Sequence, residues 1–199
     1  NLFDEGDIYT PVAVAVDDYG RMFVVSSTTN QGIIVMGDDG EFFGFIGAQK
    51  VTYNAIDLIW NTYFKKNAEG LVKYVPTEYN NICMDGEDFL WATISSLDAE
   101  DIENTIKSKD KSGSVTPVKK LNTMGTDVLK RNGFYAPMGD LEFDEEPSRI
   151  IGVSTSDNGV YSMLDQQNGH VFTYDDNGNL LFVFGKLGNE KSSFQTPAD

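Results

Sequence analysis

The stretch VYSMLDQQNGHVFTYDDNGNLLFVFG, residues Val160 to Gly185, reads as three short β-strands joined by two polar connections. Apolar and aromatic runs at 161–164, 171–174 and 180–184 are separated by Asn, Asp and Gly. Runs of this length between such connections are typical of a tight antiparallel meander. The second connection contains Asn177 and Gly178, a preferred pair for a type I′ hairpin turn, which the sequence therefore predicts there.

The same pattern occurs near the start of the chain, in residues 11–47, where four short strands alternate with turns. Gly40 and Gly47 align with Gly178 and Gly185 at one common shift along the chain. Four-stranded units that repeat at intervals of a few tens of residues are typical of β-propeller blades. The sequence therefore predicts an all-β chain built of propeller blades.

A third copy of the pattern lies between these two, stretched by an insertion, with residues 126–129 expected as its fourth strand. The prediction is a single domain of about three blades, with units at 11–47, 76–129 and 147–185 and the start of a further unit at 186–199. Closed propellers need about 4–8 blades. The favoured expectation is that the polypeptide is longer, the alternatives being two assembling copies or an open arc whose edge strands allow self-association.

Two segments break the strand pattern and predict short helices, at residues 54–66 and 97–111. In the first, apolar residues recur at helical spacing and form one face. Its aromatic members Trp60, Tyr63 and Phe64 are candidates for contact with a partner, the alternative being packing against the propeller. The second begins with acidic residues and ends with lysines, which complements the helix dipole.

Composition limits the classes of partner. The formal net charge is −16, with 31 acidic residues against 15 Lys and Arg, which argues against nucleic acid and anionic membranes. No apolar run of about 18 residues exists, so no transmembrane segment is predicted. A single cysteine, Cys83, excludes an intramolecular disulfide and is expected to be a structural thiol.

The segments PVAVAVDDYGRMFVV, IIVMGDDGEFFGFIG and IGVSTSDNGVYSML resemble NHL-type repeats of six-bladed β-propellers. The shared features are a D-x-G turn and a polar link that often carries Asp; Asp165 occupies that position in the third unit, and Ser26 and Ser27 replace it in the first. The middle unit is similar to propeller proteins of Gram-positive, Clostridia-like gut bacteria. The resemblance implies an exported or cell-surface protein, and it implies little about activity because propellers host many functions.

Loops that lead into the first strand of a blade line one face of a propeller's central channel. Glu78, Tyr79 and Asn80 in the second unit, with Arg149 in the third, are therefore the candidate ligand-binding residues. The alternative is that they satisfy hydrogen bonds where the strands begin. His170, the sole histidine, lies near no hydrolase motif and is predicted to be structural or on the surface.

The sequence favours a non-enzymatic binding or scaffold module that engages protein or carbohydrate. The alternative is a metal-assisted lactonase-like or lyase-like enzyme with its site at the propeller channel. Such enzymes concentrate carboxylates, and usually histidine, around a metal with open coordination. No catalytic residue, metal ligand or cofactor is predicted; a divalent cation such as Ca²⁺ is left open with no residue pattern in its favour.

Overall fold

The structure, a computed structural model, describes residues 9–28, 32–47, 79–97, 115–132 and 148–198. These ranges form eleven β-strands in three antiparallel sheets and contain no helix. The predicted all-β fold is confirmed. The helix predicted at 54–66 lies outside the described residues, as does the one predicted at 97–111 apart from Leu97. Nothing in the described ranges is a helix of the length and apolarity that crossing a membrane requires.

Each sheet is a meander in which strands that follow one another in the chain are hydrogen-bonded neighbours. The first sheet contains β1 (Pro11–Val16), β2 (Met22–Ser26), β3 (Ile33–Met36) and β4 (Phe42–Ile46). The second contains β5 (Tyr79–Met84), β6 (Leu90–Ile94) and β7 (Val118–Leu121). The third contains β8 (Ile150–Thr155), β9 (Tyr161–Asp165), β10 (Val171–Tyr174) and β11 (Leu180–Phe184).

The sheets stack face to face, with the first strand of each beside the first strand of the next. Side chains alternate between the two faces of a strand, so the second sheet serves two cores. Leu90 and Ala92 of β6 face the first sheet, and Trp91 between them faces the third. The stacking therefore buries both faces of the middle sheet, which explains why all of β6 is buried.

Five of the described turns between neighbouring strands close with the same contact, from a backbone N–H to the carbonyl four residues later. In the β10–β11 turn the Asp175 N–H donates to the Asn179 carbonyl at 3.0 Å, and Gly178 alone has a positive φ, +80°. The predicted type I′ turn is wrong, because it requires positive φ at Asn177 as well. The loop has three residues instead of two, and a left-handed glycine at its third position suits that length.

The second sheet departs from the predicted four strands. Residues 126–129 contribute only a single bridge at Asp127, so the expected fourth strand is wrong. The outer edge of β7 is satisfied by one backbone contact, from the Val128 N–H to the Lys120 carbonyl at 2.8 Å, and by side chains. The Lys120 N–H donates to Asp127 Oδ1 at 3.2 Å, and Arg131 donates to the Val118 carbonyl at 2.9 Å. An edge satisfied in this way does not need a paired strand.

Asp165 and Ser26 occupy equivalent places at the ends of β9 and β2. Asp165 Oδ1 accepts the Arg149 N–H at 2.9 Å, and Ser26 Oγ accepts the Thr10 N–H at 3.2 Å. Both side chains are buried, with Asp165 completely inaccessible. Each therefore fixes the residue that precedes the first strand of its sheet.

Candidate functional site

A cleft of about 580 Å³ lies between the second and third sheets, at the end where their hairpin turns lie. It is lined by the β5–β6 turn, by β7 and the segment that follows it, by the β8–β9 turn, and by Asp176 from the β10–β11 turn. The lining includes the charged and aromatic side chains Asp85, Glu87, Phe89, Trp91, Lys120, Lys130, Asp157, Tyr161 and Asp176.

Asp85 shapes the near wall of the cleft. Its Oδ1 accepts the N–H groups of Glu87 at 2.9 Å and Phe89 at 3.0 Å, which closes the β5–β6 turn. Asp17 does the same in the β1–β2 turn, where it accepts the N–H groups of Tyr19 and Arg21. Aspartate is favoured at this position because its side chain can replace a backbone acceptor within a turn.

The second carboxylate oxygen of Asp85, Oδ2, contacts two other residues of the cleft wall. Asp85 Oδ2 accepts Trp91 Nε1–H at 2.8 Å and lies 2.9 Å from Lys120 Nζ. Burial by itself would raise the pKa of Asp85, but the hydrogen bonds from Trp91, Lys120 and the turn N–H groups outweigh it and leave that pKa below its ordinary value. The carboxylate is therefore held in its charged form.

Lys120 lies against two aromatic rings as well as against carboxylates. Its Nζ is 4.3 Å from the ring centre of Phe89 and 5.3 Å from that of Trp91, and 3.8 Å from a Glu87 oxygen. β-Sheet register explains the placement, since Lys120 pairs directly with Trp91 across β6 and β7. The ammonium group therefore sits in a cage of one close carboxylate and two ring faces.

Trp91 and Tyr161 form the aromatic floor of the cleft, and Tyr174 packs beside them outside the lining. The ring centres of Trp91 and Tyr161 are 4.7 Å apart, and those of Tyr161 and Tyr174 are 5.4 Å apart and nearly parallel. All three side chains are buried. Packing of this kind makes the floor rigid, so the cleft is preformed.

Carboxylates dominate the rim. Glu87, Asp157 and Asp176 are exposed and border the opening. Counting Asp85, the lining has four carboxylates against the two lysines, Lys120 and Lys130. The rim is therefore electronegative. Among the described residues, no three His, Cys, Asp or Glu side chains are placed to hold a metal ion together.

The candidate residues at the start of the first strands lie at the opposite end of β5 from the cleft. The Tyr79 hydroxyl donates to the Gly47 carbonyl at 2.6 Å, which ties the second sheet to the first. Burial first, and then Asp127, raise the pKa of that phenol above its ordinary value. Tyr79 is thus a buried contact between sheets.

Asn80 points to the other neighbour. Its Nδ2 donates to the Ile151 carbonyl at 2.9 Å and its Oδ1 accepts the Thr93 hydroxyl at 3.1 Å. Asn80 therefore lies close to β8, the strand that Arg149 precedes, and the Arg149 side chain is exposed. The Tyr79 side chain points toward the first sheet instead. Glu78 lies outside the described residues, and so do Trp60, Tyr63 and Phe64. A binding role for these residues stays a prediction.

Cys83 and His170, two further residues of note in the sequence, contact other residues of the fold. Cys83 is half-buried, and its Sγ lies 3.3 Å from the Val153 carbonyl of the third sheet. His170 is half-buried in the β9–β10 connection, with its ring edge-on to Phe172 at 5.8 Å. Neither lines the cleft.

Only solved structures, and no sequence family or curated protein, were found to be similar to this chain. No protein-family model and no curated protein matches the sequence. Virginiamycin B lyase from Staphylococcus aureus, as its selenomethionine form, superposes with a TM-score of 0.50 at 10% identity, covering 91% of this chain and 42% of the lyase. A streptogramin B lyase gives a TM-score of 0.53 at 10% identity, over 94% of this chain and 44% of that one.

A third structure is a catalytically inactive variant of the Staphylococcus aureus lyase with quinupristin, with a TM-score of 0.50 at 10% identity, covering 92% of this chain and 43% of that one. The chain thus spans less than half of the length of these lyases. Identities this low carry information about the fold and not about the activity. The chain has the all-β fold of propeller proteins. Its three sheets correspond to part of such a propeller.

Proposed function

We propose that this chain is the ligand-binding part of a β-propeller, and that the cleft between its second and third sheets holds the ligand without reacting with it. The observation that carries the proposal is the cleft, with its rigid aromatic floor and charged rim. Its volume of about 580 Å³ falls within the range usual for ligand sites. The ligand is a protein segment or a carbohydrate.

The polar groups of the cleft wall favour binding over catalysis. Asp85 already accepts four hydrogen bonds, and its lowered pKa makes it a weak base near neutral pH. Lys120 is held between that carboxylate and two rings. His170, the chain's one histidine, lies in the β9–β10 connection, away from the lining. These groups suit a site that recognises charge.

The second candidate is a lyase-like enzyme, and the structural likeness to two streptogramin-type lyases favours it. In the third of those structures the lyase is inactive after a histidine-to-alanine substitution. The sole histidine of this chain, His170, is therefore the residue to substitute in a test of such an activity. Conversion of quinupristin by the chain, followed by mass spectrometry and lost in His170→Ala, would favour this candidate over binding.

A plugging variant tests the binding proposal. Gly86 lines the cleft with an unstrained backbone, and a Cβ there would meet only Asp157 Oδ1, at 3.7 Å. Gly86→Phe should therefore fill the opening without disturbing the turn. Thr123→Phe adds the same ring at an exposed turn of the same sheet that does not line the cleft.

The probes are soluble oligosaccharides and short peptides, read out by thermal shift. We expect at least one probe to raise the melting temperature of wild type and Thr123→Phe, and not that of Gly86→Phe. Probes that act equally on all three proteins, or on none, would contradict the proposal.

The wider setting is also proposed: a six-bladed NHL-type ring in an exported or cell-surface protein of a Gram-positive, Clostridia-like bacterium. The chain covers 42–44% of each lyase, which supports a propeller more than twice this length. The number of six blades rests on the sequence resemblance. The sequence resemblance supports the location. Cell fractionation with an antibody to the chain tests it, since a cytoplasmic signal would contradict export.

A further inference from the structure

The two outer sheets of the stack, the first and the third, each expose apolar side chains on the face that points away from the second sheet. On β1, Val14 is 62% exposed and Val16 is 54% exposed. They alternate with Ala13 and Ala15, which pack in the core shared with the second sheet. The open side of the first sheet, the first-sheet face, therefore carries Val14 and Val16.

The third sheet exposes two phenylalanines in the same way. Phe182 and Phe184 of β11 are 54% and 51% exposed, and they pair with Thr173 and Val171 of β10. Phe172, between those two residues of β10, packs in the core shared with the second sheet. Because alternate residues of a strand point to opposite faces, Phe182 and Phe184 lie on the open side of the third sheet, the third-sheet face.

The first strands of the three sheets share a rule of side-chain size, because one face of each strand carries smaller side chains than the other. The smaller sets are Ala13 and Ala15 in β1, Asn81 and Cys83 in β5, and Gly152 and Ser154 in β8. The larger sets are Val14 and Val16 in β1, Ile82 and Met84 in β5, and Val153 and Thr155 in β8. Within the stack, the smaller set of β1 meets the larger set of β5 in one core, and Cys83 lies against Val153. Small side chains facing large ones let packed layers interdigitate.

The first-sheet face and the third-sheet face fit the same rule. β1 presents its larger set, Val14 and Val16, on the first-sheet face, and β8 presents its smaller set on the third-sheet face. A first-sheet face laid on a third-sheet face therefore repeats the small-to-large contact found inside the stack. None of these residues is charged, and neither are Phe182 and Phe184, so the net charge of −16 puts no like charges into such a contact.

We propose that the two faces are the two halves of one interface, and that a second copy of this chain covers them. The first-sheet face of each copy packs on the third-sheet face of the other. Such a contact is heterologous, and two of them related by a two-fold axis close a ring. The ring has six sheets, the number of blades that the sequence resemblance implies, and its two chains correspond to 84–88% of one lyase, twice the 42–44% of one chain. Neither face lines the cleft, so the interface does not depend on the proposed binding function.

Sedimentation equilibrium of the chain tests the interface, at about 0.15 M salt and at about 5–100 µM protein, where interfaces of standard size associate. Val14→Asp and Phe182→Asp each place a charge on one of the two faces. Met124→Asp is the matched control, because Met124 is 81% exposed in the turn that follows β7 and lies on neither face. All three side chains are exposed, so the variants should fold, which urea denaturation checks.

We expect wild type and Met124→Asp to have twice the 22.0 kDa mass of one chain. Val14→Asp and Phe182→Asp should each associate at least about tenfold more weakly, since each buries a charge in the contact. An equal mixture of those two variants should associate more strongly than either alone, because one of the two contacts in a mixed pair is unaltered. A wild type that stays monomeric would leave the faces to another partner and overturn the proposal. Masses that grow beyond the dimer, no gain in the mixture, or equal weakening by Met124→Asp would also overturn it.

Discussion

The substitution Asp85→Asn changes one carboxylate oxygen, Oδ2, which holds the cleft wall together. An asparagine keeps an acceptor for the N–H groups of Glu87 and Phe89, so the turn should persist. Its NH₂ group cannot accept from Trp91 Nε1 or pair with Lys120, whose contacts to Oδ2 are 2.8 and 2.9 Å. The substitution therefore removes the contacts that build the cage and leaves the backbone contacts in place.

The expected cost follows from burial. Trp91 is only 3% exposed, so an unpartnered indole N–H there costs about 1–3 kcal/mol. The lost ion pair with the partly exposed Lys120 adds up to about 1 kcal/mol. We predict a total loss of about 1–4 kcal/mol in the free energy of unfolding. Asp17→Asn is the matched control, because its second oxygen serves only the partly exposed Arg21 and should cost about 1 kcal/mol.

Urea denaturation at neutral pH measures both variants, and acid titration adds a second check. The folded state lowers the pKa of Asp85, so its stabilising effect is present above the unfolded value near 4 and is lost as pH falls below it. Asp85→Asn should therefore lose less stability on acidification than wild type. A cost below about 0.5 kcal/mol, or one equal to that of Asp17→Asn, would refute the reasoning about the cage.

Three further predictions concern the sheets. Tyr79→Phe removes the hydroxyl that donates to the half-buried Gly47 carbonyl and should cost about 1–2 kcal/mol in urea denaturation. Because the folded state raises the pKa of Tyr79, wild type should lose stability as pH rises past about 10, and Tyr79→Phe should lose less. Asp88 has a φ of +61° where the other two sheets have glycine, so Asp88→Gly should stabilise by about 0.5–1 kcal/mol, seen as a higher melting temperature. Asp127→Ala frees the Lys120 N–H at the outer edge of β7 and should increase self-association in size-exclusion chromatography, whereas an unchanged elution volume would contradict edge protection.

The sequence predicted the strands well because their information is local. Alternating apolar residues and turn residues recur within about ten residues, and several turns close on their own aspartate, as at Asp85 and Asp17. The predicted type I′ turn at Asn177 was wrong because of another local detail, the length of the loop. A dipeptide preference does not say whether the loop has two residues or three, and strand register decides that.

The cleft could not be predicted because it depends on contacts that are distant in sequence. Trp91 and Lys120 pair across β6 and β7, which an insertion separates, so neither residue indicates the other. A signal did exist in the alternation of Phe89 and Trp91 after Asp85, which places both rings on one face. The candidates Tyr79 and Asn80 were adjacent in sequence, and that same alternation sends their side chains toward different sheets.

Hydrogen–deuterium exchange with a saturating oligosaccharide or peptide that raises the melting temperature tests most directly whether ligands bind at the cleft. The cleft and the start of the first strands lie at opposite ends of β5, so their peptides report separately. We predict slower exchange in residues 85–91 and 155–161, and no change in 79–82 or 148–151. Protection confined to 79–82 and 148–151 would contradict the assignment of the cleft and favour the site of Asn80 and Arg149.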